Sequence, residues 1–588
     1  MRDDGIGCAA SIDGRPARMF EVRETLLLLS VSVLLLLWGL GNRGLWAAEG
    51  RWAEVTREML MTGDFFHPTI DGEPYFDKPF LTYWFRVIIS AATGILNEFV
   101  VRLPSAVAGL VAIWATVSLG TRLWSAKVGR LAGWFLLTTY AFLFWSRTGT
   151  AEAENLAFIV VAVAWYWSRR DHLGFPALLV FYLIVFVGAL TKGLTAVVVP
   201  MVIVLPDMVT QRRWRLLLRP AHILALVMGL LVYLSPFVYA SLTQGTDYQS
   251  SGLGLVFQEN ILRYFNPIDH KGPIYLYVYG LPVLLLPWTP LFVVAVVATV
   301  QGRKVLDRHT RWLISAIVLV FLFFTVSGSR RSYYILPILP LCALLMAVFV
   351  GWLHQPHAER LRQQGLGIQR AVFIGLIAFE LAIPLILIVP RRMMGFEVSL
   401  GLDVASLAVG VLALIAGGIV MQLSCRSAVS DAAAWPLVAV VVVLLGGFFC
   451  WQQNILEANR TERAFARQLR EETAPLPPER IAVYPKPNAN LLFYLAPPRP
   501  LQILDAPEKI SGSLEPACPG AVITQRRYAT GLLTEFISEL QRQKSLREPV
   551  YRWETKSSKE EKWIAWFWDG SSPAHVITKA HGGTNHAP

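Results

Sequence analysis

Residues 174–209 read GFPALLVFYLIVFVGALTKGLTAVVVPMVIVLPDMV. Two apolar runs flank a single cation, Lys192, and each is long enough to cross the hydrocarbon of a bilayer as a helix, which takes roughly 17–25 residues. In lipid every backbone N–H and C=O needs an internal partner, so runs of this kind are read as helices. The whole chain agrees: of its 588 residues 54% are apolar and 16% charged, with 20 Trp and a mean hydropathy of +0.48. That is the composition of an integral membrane protein.

Working outward, comparable runs lie near 24–41, 101–121, 128–146, 152–168, 218–240, 273–300, 311–327, 333–353, 370–390, 400–423 and 434–451. Together with 174–190 and 193–209 they predict about thirteen transmembrane helices. Residues 80–96 carry Arg86, Tyr83, Trp84, Phe85 and Gly94, a mixture that suits an interfacial helix better than a span. Lys and Arg cluster at 121–130, 168–172, 211–219, 301–311 and 354–370. The positive-inside rule makes that side, with the N-terminal residues 1–23, cytoplasmic. Residues 42–100, 241–272, 327–332 and everything after about 452 then face outward. The formal charge of +12 follows this loop pattern, so no nucleic-acid partner is expected.

The first apolar run is not followed by a small-residue cleavage site, so it reads as a retained span. Five cysteines, Cys8, Cys342, Cys425, Cys450 and Cys518, show no CxxC spacing and no disulfide framework. The domain expectation is therefore a membrane domain over 24–451 and a soluble outer α/β domain over 452–588. In the latter, strands are expected at 480–484, 501–504, 521–524, 549–553 and 562–568, with helices at 460–472 and 528–545 and a disordered end.

The outer loop 42–79 holds a helical-period segment, AEGRWAEVTREML, with Trp52, Val55 and Met59 on one side and Glu49, Arg51, Glu54, Arg57 and Glu58 on the other. It is either a helix lying on the membrane surface or part of a site. It leads into YFDKP (75–79). Lys78, Lys192, Arg330 and Arg331 are cations on the side where the positive-inside rule disfavours them, which points to an anionic ligand such as a lipid phosphate. Snorkelling of a single lysine is the alternative. Glu152 and Glu154 open another span, as helix N-terminal acids or as groups holding sugar hydroxyls. His270, beside Asp269, is either a metal ligand or a surface residue.

Several motifs fall in order: RWAEVTREMLMTGDFFHP (51–68), YFDKP (75–79), LTKGLTAVVVP (190–200) with VTQRRW (209–214), ENILRYF (259–265) with HKGPIYLY (270–277), and LPWTP (286–290). In these the chain resembles the bacterial aminoarabinose transferases that modify lipid A and, more broadly, the GT-C glycosyltransferases that include protein O-mannosyltransferases. The motifs cover roughly residues 40–345. The resemblance implies a GT-C fold, a donor of undecaprenyl phosphate carrying one sugar, an outward-facing site and inversion at the anomeric carbon. It implies that Arg51, Lys78 and Lys192 lie near the lipid phosphate and that Tyr333 or Tyr334 lies in the same cavity. Asp77 and His270 would hold a divalent metal, zinc or magnesium. The family's Asp-Glu-x-Arg-Tyr-Ala-Glu pattern stands here as Ala48 to Glu54, with Ala48 at the position of the catalytic Asp. The expected base is then the neighbouring Glu49, and the second acidic position falls at Glu152 and Glu154.

The functional expectation is a glycosyltransferase of the bacterial inner membrane, acting on lipid A, another glycan or a protein. A lipid flippase and a catalytically silent relative are the other two readings.

Overall fold

The computed structural model describes residues 14–46, 48–76, 78–243, 272–301, 306–352, 442, 462–504, 506, 509, 518–528, 532–542, 545–547, 551–553 and 563–569. The expected spans 370–390, 400–423 and 434–451 and nearly all of the loop 241–272 lie outside these residues, as do Asp77 and His270.

The other ten apolar runs are helical. They form α1 (Gly14–Leu37), α4 (Glu98–Leu123), α5 and α6 (Ala126–Leu137 and Tyr140–Ser146), α7 (Glu152–Arg169), α8 (Phe175–Lys192), α9 (Thr195–Thr210), α10 (Pro220–Leu242), α11 and α12 (Leu276–Leu284 and Thr289–Gln301), α13 (Arg308–Val326) and α14 (Leu339–Trp352). Among the described residues five segments are long and apolar enough to cross a membrane singly. Two more pass as bent pairs.

Those pairs depart from the expectation of straight spans. The run 128–146 breaks between α5 and α6 at 70°, and 273–300 breaks between α11 and α12 at 116°. Thr138 and Thr139 turn their hydroxyls back on the carbonyls of Trp134 and Phe135, which ends α5. Pro287 and Pro290 cannot donate backbone hydrogen bonds, so the second run cannot continue as one helix. The two breaks satisfy each other: the Tyr140 amide donates to the Leu286 carbonyl at 2.8 Å, and Trp288 Nε1 donates to Thr138 Oγ1 at 2.9 Å. Backbone released by a break in lipid persists where protein re-pairs it in this way.

Close packing brings the spans together. A Cβ on Gly120 of α4 would meet Gly129 Cα of α5 at 2.8 Å, so these two helices approach at a small-residue contact. At the far end of the bundle Asp207 of α9 accepts from Tyr166 (2.7 Å), Arg170 (2.8 and 2.9 Å) and Arg308 (2.9 Å), pinning α7, α9 and α13. A carboxylate inside an apolar helix survives because every lone-pair direction is paired.

At the opposite end lie α2 (Glu49–Thr62), a short hairpin of β1 (Thr69–Ile70) and β2 (Glu73–Pro74), and α3 (Leu81–Thr93). The 13 residues of α3 rise only about 20 Å, short of a span. The C-terminal region supplies α15 (Arg463–Thr473), α16 (Ala489–Leu495), α17 (Leu532–Arg542) and a five-stranded sheet. Its strands are β3 (Ile481–Tyr484), β4 (Gln502–Ile503), β5 (Gly520–Gln525), β6 (Tyr551–Trp553) and β7 (Trp563–Trp568), in the order β4-β3-β5-β7-β6. β4, β3 and β5 pair parallel, and β7 pairs antiparallel with both β5 and β6.

This region packs on α2 through α16, which begins at the Asn488 cap. A Cβ on Gly50 would stand 2.2 Å from Asn490 Oδ1, so the absent side chain admits the contact. Tyr494 completes the joint by accepting from the Leu45 amide at 2.6 Å and donating to Glu98 at 3.1 Å.

Candidate active site

Helix α2 is not a helix with one free polar face, as its periodicity predicts. Trp52, Val55 and Met59 are buried as expected, and so are Glu49, Glu54 and Glu58. The helix lies between α3, where Trp52 meets Tyr83 at 4.9 Å, and α16. Its acids can be buried because each is paired.

Glu49 shows how far this goes. Its side chain is 0% exposed and its carboxylate accepts five hydrogen bonds: two from Arg102 (2.7 and 2.8 Å), one from Arg43 (3.2 Å), and the amides of Trp46 (3.0 Å) and Gly149 (2.7 Å). Burial alone would raise its pKa, but Arg102, Arg43 and the Gly149 amide outweigh that and hold it at about 2. Arg102 spends its remaining donors on the carbonyls of Leu40, Arg43 and Gly44. A carboxylate so stabilised as an anion, with no lone pair facing solvent, is a poor proton acceptor. Glu49, the expected base, is placed as an anchor joining the 40–49 loop, α4 and the turn before α7.

Glu154 has a similar place. It accepts from Thr82 (2.8 Å) and Ser105 (3.2 Å), faces Arg86 at 3.4 Å and is 2% exposed, tying α7 to α3 and α4. Further along α2, Glu54 takes both ends of the Arg57 fork at 2.9 and 2.7 Å. Burial, helped by neighbouring Glu58, lifts its pKa to about 7 against the pull of Arg57.

The remaining expected residues divide. Glu152, first residue of α7, pairs with Lys192, last residue of α8, with 12% and 16% of their side chains exposed. Lys192 Nζ stands 5.6 Å from the Tyr333 ring centre and 4.9 Å from that of Tyr334. Arg331 donates to the Tyr333 hydroxyl at 2.8 Å. The charges of Arg51 and Glu152 act on the same hydroxyl, so α2 contributes to this cluster through Arg51. Arg51 is held by a 2.8 Å hydrogen bond to the Tyr75 hydroxyl, three residues before half-buried Lys78.

Three cations, one carboxylate and two tyrosines packed edge to face thus meet at the α2 end of the bundle. Arg330 does not join them, because its guanidinium donates to the carbonyls of Thr325 (3.0 Å) and Gly272 (2.8 Å). Among the described residues no group of three or more His, Cys, Asp and Glu is placed to hold a metal. The expected pair Asp77 and His270 is outside those residues.

Sequence reasoning assigned no role at the site to Arg102, Arg86 or Tyr75. The first two carry a usable signal, a charge within or beside an apolar helix, which demands a partner. Tyr75 lies inside the quoted YFDKP motif, and only the fold reveals that it reaches Arg51.

Residues 77–239 match the family model described as dolichyl-phosphate-mannose-protein mannosyltransferase. A Pseudomonas savastanoi pv. phaseolicola protein named undecaprenyl phosphate-alpha-4-amino-4-deoxy-L-arabinose arabinosyl transferase is 31% identical over 368 residues, 60% of this chain and 67% of that protein. The Pseudomonas paraeruginosa protein of the same name is 32% identical over 355 residues, 57% of this chain and 62% of its own length. Across several such relatives the match spans about three fifths of their length. In structure, ArnT from Cupriavidus metallidurans bound to undecaprenyl phosphate superposes with a TM-score of 0.68 at 18% identity, covering 92% of this chain and 97% of that one. The apo form gives 0.66, with 95% and 99% covered, again at 18% identity. These superpositions establish the GT-C fold.

Proposed function

Because the chain belongs to the family of undecaprenyl phosphate-alpha-4-amino-4-deoxy-L-arabinose arabinosyl transferases, we propose that it moves a sugar from a polyprenyl phosphate to an acceptor hydroxyl or amine at the outer face of the bacterial inner membrane. The observation that carries this reading is the meeting of Arg51, Lys192 and Arg331 with Glu152 and the Tyr333-Tyr334 pair at one end of the helices. The Lys- and Arg-rich loops at the other end support a cytoplasmic N-terminus and a periplasmic C-terminal domain.

The chemistry follows from the charges. The bond between the sugar's anomeric carbon and the phosphate oxygen breaks, and the electron pair leaves with the lipid phosphate. Lys192, Arg51 and Arg331 stabilise that developing dianion, and Lys78, in the adjoining loop, adds a fourth charge. The acceptor's oxygen or nitrogen attacks from the opposite face, which inverts the carbon. Its proton goes to Glu152, the carboxylate that shares the cluster with the cations. Before the donor binds, Lys192 occupies Glu152. An arriving phosphate competes for the lysine and frees the carboxylate as a base. A divalent metal on Asp77 and His270 would add Lewis-acid charge at the phosphate, and none of these steps depends on it.

The broken helix pairs give the alternative reading, a lipid translocator, one observation in its favour, since transporters build ion sites at such breaks. Here the breaks bond to each other through Tyr140, Thr138, Leu286 and Trp288, without a charged side chain.

Mass spectrometry of cells with and without the gene tests the reading. A missing transferase leaves its polyprenyl-phosphate sugar accumulated on the outer leaflet and removes one sugar mass from lipid A, another glycan or a protein, which identifies the acceptor. An unchanged donor pool and unchanged acceptors contradict transfer, and donor trapped on the inner leaflet indicates translocation instead.

A further inference from the structure

A groove lies far from this site, between α1, α4, α5 and α7. Its volume is about 1190 Å3, above the roughly 300–1,000 Å3 of pockets that hold drug-sized ligands. The 26 residues of α4 rise about 39 Å. The last turn of α4, where the groove ends, is therefore a full bilayer thickness from the Glu98 end beside the candidate site.

The lining is graded along the helix axes. Toward mid-membrane the walls are Leu26, Val117, Val161 and the face of Trp114, which is 60% exposed. At the helix ends they become Thr121, Ser168 and Arg122. From Trp114 to Arg122 is about 12 Å along α4, close to the depth of one leaflet's hydrocarbon.

The charge at the mouth is not balanced. Arg130, 7% exposed, pairs with Glu24 at 2.8 Å and is neutralised. Arg122 is exposed and has no hydrogen-bond or ion-pair partner among the described residues. An apolar cleft in a bilayer fills with hydrocarbon. The molecule that supplies this hydrocarbon while placing an anion at a lone arginine and the Thr121 hydroxyl is an anionic phospholipid.

We propose that the groove binds one anionic phospholipid of the leaflet opposite the candidate site, with its acyl chains along Val117, Val161 and Trp114 and its phosphate at Arg122 and Thr121. This second lipid site is independent of the donor site, and its occupant is not a substrate.

Native mass spectrometry of the purified full chain tests it, with phosphatidylglycerol and phosphatidylcholine of identical chains added in turn and thermal unfolding verifying each variant's fold. The wild type should retain one phosphatidylglycerol in preference to phosphatidylcholine. Arg122→Ala, a change at an exposed position, should weaken phosphatidylglycerol retention about fivefold, the worth of one basic residue at an anionic lipid, leaving phosphatidylcholine unchanged. Ala164→Phe, which fills the groove, should weaken both. Equal retention of the two lipids by the wild type, or phosphatidylglycerol retention unaffected by Arg122→Ala, would overturn the proposal. So would displacement of the lipid by millimolar glycerol phosphate, which would indicate a site for a soluble anion.

Discussion

Glu49 and Glu152 begin their helices in the same way: each is the first helical residue, and each follows an alanine in helical conformation, Ala48 or Ala151, that provides no side-chain cap. Their surroundings differ. Glu49 is enclosed by five donors and has no exposure, whereas Glu152 faces one lysine, with 12% of its side chain open. The family resemblance made Glu49 the candidate base. Donor count favours Glu152 for that role, because a carboxylate can serve as a base only if one of its oxygens can be given to the substrate.

The largest effect should come from the open acid. Glu152→Gln keeps the shape and removes the basic oxygen, so turnover should fall about 10²–10⁴-fold, the usual worth of a positioned general base. The readout is transfer from a labelled polyprenyl-phosphate sugar in proteoliposomes. Lys192→Ala should cost about 10²–10³-fold by removing a cation from the departing phosphate and should also weaken binding of polyprenyl phosphate itself.

The closed acid should report in stability. Glu49→Gln leaves Arg102 buried beside a neutral amide, and breaking a buried pair costs about 3–5 kcal/mol. The unfolding midpoint should drop accordingly. The pH dependence sharpens the contrast with Glu54 on the same helix. Glu49 titrates near 2 in the fold against 4.5 when free. Its contribution, about 3 kcal/mol, is therefore complete above pH 4.5 and lost as pH falls toward 2. Glu54 is raised from 4.5 to about 7, so the fold favours its protonated form. That contribution is complete below pH 4.5 and lost as pH rises to 7. Glu54→Gln should flatten the upper slope and leave the lower one.

The smallest effect should be at Tyr75, which holds Arg51 through one hydrogen bond. Tyr75→Phe should lower kcat/KM about fivefold, the worth of a single hydrogen bond near 1 kcal/mol.

Much of the architecture was legible because it rests on local signals. Apolar runs of span length gave the helices, and short apolar runs gave all five strands of the C-terminal sheet. Features that depend on distant partners were not legible. The breaks at Thr138-Thr139 and at Pro287 are stabilised by one another across about 150 residues of chain, and Trp288 shows no sign in the sequence of its bond to Thr138. Helix α16 lies in a short run flanked by prolines, and its capping Asn488 is the one local cue.

The candidate site divides in the same way. Lys192 and Arg331 stood out as outward cations, and the tyrosines entered through the family resemblance. Glu49 could be recognised as an anchor only once Arg102, 53 residues away, was seen to fold back on it. Arg330 was indistinguishable from Arg331 until its carbonyl partners were known.

The most direct test sets Glu152→Gln beside Glu49→Gln in one reconstituted assay, measuring polyprenyl-phosphate binding and sugar transfer on folded protein. The account predicts that Glu152→Gln binds the lipid phosphate and fails to transfer, while the Glu49→Gln protein that remains folded still transfers. Wild-type transfer by Glu152→Gln, with folded Glu49→Gln inactive, would contradict it.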